Sequence, residues 1–125
     1  MNQTNGYIYI RTNEYWDLYD AFKLGKTISI PDREQTYITS EVKRGTFVMI
    51  IEIDLIILDN VEKQLQKYFN QLNLHIKFNA GTEIYKKEII NFIIEFYFFV
   101  FMNNSIIMTC IMMTCIIMIN SYFSN

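Results

Sequence analysis

Apolar and polar positions alternate with a period of two early in the chain and recur at helical spacing further on. Gly6-Tyr7-Ile8-Tyr9-Ile10-Arg11 is rich in aromatic and β-branched residues and predicts a first strand. Alternation puts Tyr7, Tyr9 and Arg11 on one face of it and Ile8 and Ile10 on the other. Thr12 to Asp20 is polar and aromatic and reads as a loop, and Ala21-Phe22-Lys23-Leu24-Gly25 predicts a short second strand stopped by Gly25. Pro31 suits the first position of a helix, with Asp32 and Glu34 near its positive end. That helix is expected to run to Lys43 or Arg44, where Gly45 stops it.

From Thr46 to Leu58, the run Phe47-Val48-Met49-Ile50-Ile51 with Ile53 predicts a largely buried third strand. Asp59-Asn60 offers an N-cap, and Val61, Leu65, Tyr68, Phe69 and Leu72 then recur as one face of a helix. Leu74 to Ala80 reads as an irregular strand or loop. Gly81-Thr82-Glu83-Ile84-Tyr85 reads as a turn into a last helix beginning near Lys86. The order β-loop-β-α-β-α-turn-α predicts an α/β fold, a small three-stranded, mainly antiparallel sheet flanked by helices.

Composition adds a boundary. Half of the 125 residues are hydrophobic, enough for one domain with a real core and unlike a disordered chain. Every charged residue lies at or before Glu95, so residues 1–94 are expected to form the domain and 95–125 an apolar tail, uncharged from Phe96 onward. A net charge of -2 excludes a protein that coats nucleic acid by bulk electrostatics, so any DNA contact must come from a local basic patch.

The tail is open to three readings, a membrane span, a degenerate extension or ordinary core, and the part to about Met102 also reads as the domain's last helix. Residues 96–119 are long enough to cross a bilayer as a helix, although Asn103-Asn104-Ser105 interrupts them. The near-repeat Met108-Thr109-Cys110-Ile111 and Met113-Thr114-Cys115-Ile116 equally suits a degenerate or frame-shifted extension. Cys110 and Cys115 match neither a zinc knuckle nor a redox pair, and no basic leader precedes an apolar run at the start of the chain. An intracellular, reducing compartment is therefore expected, with membrane association through residues 96–119 as the variant.

Phosphodiester cleavage needs a group that activates water, a cation for the charge that builds on phosphorus, and usually a metal. Tyr7 and Tyr9 on strand one, Lys23 and Lys26 around Gly25, Arg33 in the first turns of helix one and Glu62 at the start of helix two are candidates for these roles. His75, the only histidine, reads as a loop or edge residue, and Glu83 as one that orients its turn. Each has a plain alternative: strand aromatics for the tyrosines, a solvated helix start for Arg33, an exposed surface acid for Glu62.

Taken together, these residues resemble the GIY-YIG endonuclease-like superfamily over residues 6–94. Tyr7-Ile8-Tyr9 resembles the GIY element and Lys23-Leu24-Gly25, followed by Lys26-Thr27, the YIG element. Arg33 falls eight residues after Gly25, where the superfamily carries its helix arginine, and Glu62 resembles its metal-binding glutamate. Gly81-Thr82-Glu83-Ile84-Tyr85 resembles the closing motif of the bacteriophage T-five open-reading-frame-172 type of DNA-binding domain, abundant in phages and large DNA viruses.

The resemblance implies double-stranded DNA as partner and an intracellular location, in host cytoplasm or nucleus if the protein is viral. It implies a DNA-binding domain or a Mg²⁺-dependent endonuclease, with Tyr9, Tyr7 and Arg33 catalytic, Glu62 holding Mg²⁺, and Lys23, Lys26, Arg11 and Arg44 on the DNA. Lys23 stands where the family has the YIG tyrosine, and Tyr7 where it has the first glycine of GIY, with Gly6 adjacent. These departures bear on cleavage more than on binding. Two other readings compete with it: a non-enzymatic membrane-anchored interaction protein, and an inactive truncated copy of a viral DNA-binding protein.

Overall fold

The computed structural model describes residues 3–77 and 83–102. Eight elements follow one another: β1 (Asn5–Thr12), α1 (Glu14–Asp17), β2 (Ala21–Thr27), α2 (Ile30–Ser40), β3 (Thr46–Asp54), α3 (Leu58–Gln71), β4 (Ile84–Lys86) and α4 (Ile89–Met102). The strands form one antiparallel sheet in the order β3-β1-β2-β4. The fold is α/β as expected, with four strands in place of three. Three residues are too few to show alternation, and β4 hides between a turn motif and a lysine pair.

One face of the sheet makes the apolar core. Ile8 and Ile10 from β1, with Leu24 from β2, pack against Val61, Leu65 and Phe69 of α3 and Ile89 and Ile93 of α4. The helical spacing of α3 therefore points where its periodicity says it should. The helix ends in a Schellman turn: Leu74 N–H bonds the Phe69 carbonyl at 3.0 Å and Asn73 N–H that of Asn70 at 3.1 Å. Asn73 takes the positive φ this turn requires. The chain then runs back along β4, where His75 forms an isolated bridge with Tyr85, an edge position as expected for this histidine.

Several boundaries differ for physical reasons. The expected loop after β1 contains the short helix α1, whose cap Asn13 accepts from Trp16 N–H at 2.9 Å. β2 does not stop at Gly25 but runs through it to Thr27. α2 ends at Ser40 because Glu41 turns extended, its carboxylate accepting from Arg11, Asn13 and the Gly45 N–H. β3 is an edge strand, so only Ile53 within it is buried. α3 starts at Leu58 with no side-chain cap, Asp59 being drawn to Lys26 instead.

α4 runs without a break across the composition boundary at 94/95. Among the described residues no helix is long and apolar enough to cross a membrane. Most of the 96–119 span, together with Cys110, Cys115 and the Met-Thr-Cys near-repeat, lies outside the described residues, as does Gly81-Thr82 of the closing motif.

Candidate functional site

The second face of the sheet is polar and aromatic. Its centre is Tyr9, which stands opposite Gly25 across the β1–β2 ladder. The ring lies over that glycine: a Cβ at position 25 would come within 2.5 Å of Tyr9 Cζ and Oη. Gly25 is therefore a close-approach residue rather than a strand stop. Tyr9 also meets Phe47 and Tyr37 edge to face, at centroid distances of 5.2 and 6.1 Å.

The Tyr9 and Tyr37 hydroxyls are 2.7 Å apart. Burial pushes the Tyr9 hydroxyl above the ordinary phenol range, an effect that the Tyr37 hydrogen bond and Arg33 partly offset and that Glu83 and Glu62 reinforce. Burial, then the Tyr9 bond, push Tyr37 up as well. Both phenols therefore stay neutral at pH 7. Such a pair relays and donates hydrogen bonds, and it is poorly suited to act as a phenolate base. Tyr7 stands further along β1 between Thr27 and Glu52 and takes no part in this pair.

Arg33 projects from the first turns of α2, one helical turn before Tyr37. Among the described residues its guanidinium forms no ion pair or hydrogen bond, while its charge reaches both the Tyr9 and Tyr37 hydroxyls. It lines a cleft of about 330 Å³ with Lys26, Thr27, Leu58 and Asp59, between the first turns of α2 and α3 at the end of β2. Both helix N-termini carry partial positive charge there.

The other expected DNA contacts each have a carboxylate partner. Arg11 is the clear correction. Its side chain is fully buried, with Nη1 2.7 Å from Glu34 and Nη2 2.7 Å from Glu41, so it presents no charge to a phosphate. The alternation that set it beside Tyr9 was sound, but α2 covers that face. Arg44 is exposed and binds Glu34 at 2.8 Å. Lys23 binds Glu83 at 2.5 Å, and Lys26 pairs with Asp59 and, at 3.5 Å, with Glu62. The Lys26–Asp59 pair is exposed, which makes it weak and readily exchanged.

Glu62 is not the exposed surface acid its local sequence suggests, being only 9% accessible. Burial raises its carboxyl pKa, opposed by Lys26 and reinforced by Glu83 and Asp59. Among the described residues no three His, Cys, Asp or Glu side chains cluster as a ready metal site. Mg²⁺ commonly uses one or two carboxylates completed by water and substrate phosphates, and Glu62 is a single, largely buried carboxylate paired with Lys26.

Sequence alone does not single out Tyr37 or Glu41, and it gives Glu34 only a role at the helix dipole and Phe47 only a place in β3. A usable signal existed: Glu34, Tyr37 and Glu41 are spaced three and four residues apart, so a helix over Glu34 and Tyr37 brings Glu41, at its end, to the same side. Comparison with family models, with curated proteins and with solved structures gave no match to the chain.

Proposed function

We propose that the chain is a DNA-binding domain of GIY-YIG type that holds a backbone phosphate of double-stranded DNA in the cleft between α2 and α3. The observation that carries this reading is Arg33, a guanidinium without a partner among the described residues, set in a cleft where two helix N-termini meet. A guanidinium offers a planar fork of donors that a phosphate can take in bidentate fashion. Lys26 supports it by exchanging Asp59 for phosphate. With a net charge of -2, affinity depends on this local site and falls steeply with salt.

Cleavage is the second grade of the proposal. Glu62 would hold one Mg²⁺, which when bound supplies Lewis-acid stabilisation of the phosphate and a more acidic water. This chain's own residues would position the phosphate through Arg33 and donate to it through the neutral Tyr9–Tyr37 pair. The absent YIG tyrosine is offset in number of hydroxyls by Tyr37, which arrives from α2 instead of β2.

Fluorescence anisotropy with a labelled duplex, using the full chain, tests binding: Arg33→Ala should weaken it about tenfold or more, with unchanged thermal stability. Equal affinity of the two chains removes the assignment. Plasmid nicking with Mg²⁺ then grades the activity. Nicking lost in both Arg33→Ala and Glu62→Ala supports an endonuclease, and binding without nicking leaves a binding module.

A further inference from the structure

Helix α2 carries the site's cation and its second hydroxyl, yet none of its residues is buried. A helix normally docks on a sheet by an apolar stripe. α2 lacks one, and what it and its C-cap turn toward the sheet is Glu34, Tyr37 and Glu41. All three converge on one side chain. The Arg11 guanidinium lies 4.5 Å from the Tyr37 ring centroid and 4.6 Å from that of Phe47, stacked between the helix and β3. Its nitrogens reach Glu34 in the first half of the helix at 2.7 Å and Glu41, the residue that caps its C-terminus, at 2.7 and 3.4 Å.

The remaining polar atoms of this cluster are also engaged. Arg44 closes Glu34 from outside at 2.8 Å, and Asn13 and the Gly45 N–H hold Glu41 at 2.9 and 3.0 Å. A β-bulge falls where Arg11 pairs with β3, changing the register after Ile10 and bringing Phe47 opposite the arginine. The strand is thus bent where the arginine needs an aromatic wall.

We propose that Arg11 is a positioning residue: it docks α2 on the sheet and thereby sets Tyr37 against Tyr9 and Arg33 at the cleft. Removing it leaves α2 held mainly through Tyr37, whose ring and hydroxyl meet Tyr9, Phe47 and Trp16, while the core face keeps the sheet, α3 and α4 together. That the placement serves DNA binding rests on the reading above, whereas the docking itself does not.

Amide hydrogen exchange on the full chain, combined with ultraviolet titration of the phenols, tests this. In Arg11→Met and in the helix-side double variant Glu34→Gln/Glu41→Gln, α2 amides should exchange about tenfold or more faster, with β1, β2 and α3 unchanged. In both, a buried phenol transition should move down toward the ordinary tyrosine range as Tyr37 meets water. Arg11→Lys, which keeps the charge but not the fork, should restore only part of the protection. Wild-type α2 protection and phenol titration in either variant overturn the proposal. So does loss of β1 and β2 protection together with that of α2, because Arg11 would then hold the whole sheet. A wild-type chain that binds no DNA would remove the proposed function and leave the docking result standing.

Discussion

The two faces of the sheet are closed by different forces. Toward α3 and α4, Ile8, Ile10 and Leu24 meet Val61, Leu65 and Phe69, and burial of apolar area suffices. Toward α2, Tyr9 and Arg11 meet Tyr37, Glu34 and Glu41, and a buried cation with two carboxylates takes the place of an apolar stripe. The first arrangement is tolerant in direction and strong in sum. The second is directional: an arginine fork fixes angle and distance, which suits a helix that must present a phenol and a guanidinium at defined places. Breaking a buried ion pair from one side is also costly, because the remaining charge is stranded.

This contrast can be broken on either side. The largest effect is expected on the apolar face, where Phe69→Ala should lower unfolding free energy by about 3–5 kcal/mol in urea titrations. Ile38→Ala on α2, where 37% of the residue's surface is accessible, should cost less, about 1 kcal/mol. Comparable losses at both positions would mean that α2 has an apolar attachment after all.

Next in size is Gly25→Ala, whose methyl would press into the Tyr9 ring. A cost of about 1–3 kcal/mol is expected. A double-mutant cycle checks the cause, since the cost should shrink when position 9 is also alanine. Additive losses would place the strain elsewhere.

The smallest effects are in pH dependence, and the acids should act with opposite sign. Burial pushes Glu34 and Glu41 up, but the Arg11 bonds, with those of Arg44 to Glu34 and of Asn13 and Gly45 to Glu41, bring both below the ordinary glutamate value of 4.5. Their stabilisation is complete above about 4.5 and is lost as pH falls through their lower folded values. Glu62 is raised by burial, so its contribution is present below 4.5 and lost as pH rises through its folded value. Glu62→Gln should therefore raise the Tm slightly at neutral pH, and Glu41→Gln should lower it. Matching changes in both variants would contradict the assignment.

The same contrast governs what could be read without a structure. The α3 stripe repeats every three or four residues and announces both the helix and its buried side. Alternation on β1 correctly paired Tyr9 with Arg11 on one face. It could not say that α2 would cover that face, because Glu34 and Glu41 lie 23 and 30 residues further along. A charged residue near a strand end then reads as a surface cation. Gly25 reads as a break because a glycine looks the same whether the backbone turns there or a ring crosses it. Lys23 and Lys26 were placed well in the fold but not in charge, since their partners Glu83, Asp59 and Glu62 belong to other elements. Arg33 keeps its expected place in the first turns of α2 because its short spacing from Gly25 leaves room only for the end of β2 and the turn into the helix.

The central claim is that the charge-built face exists to present Arg33 to a phosphate. Salt titration of duplex binding by the wild-type chain and by Arg33→Ala addresses it most directly. The logarithm of the association constant falls linearly with the logarithm of salt, with a slope of about 0.9 per phosphate contact. Loss of about one unit of that slope in the variant, across unrelated DNA sequences and with the fold intact, is the expected result. Parallel lines of equal slope would contradict the account, because Arg33 would then meet no phosphate.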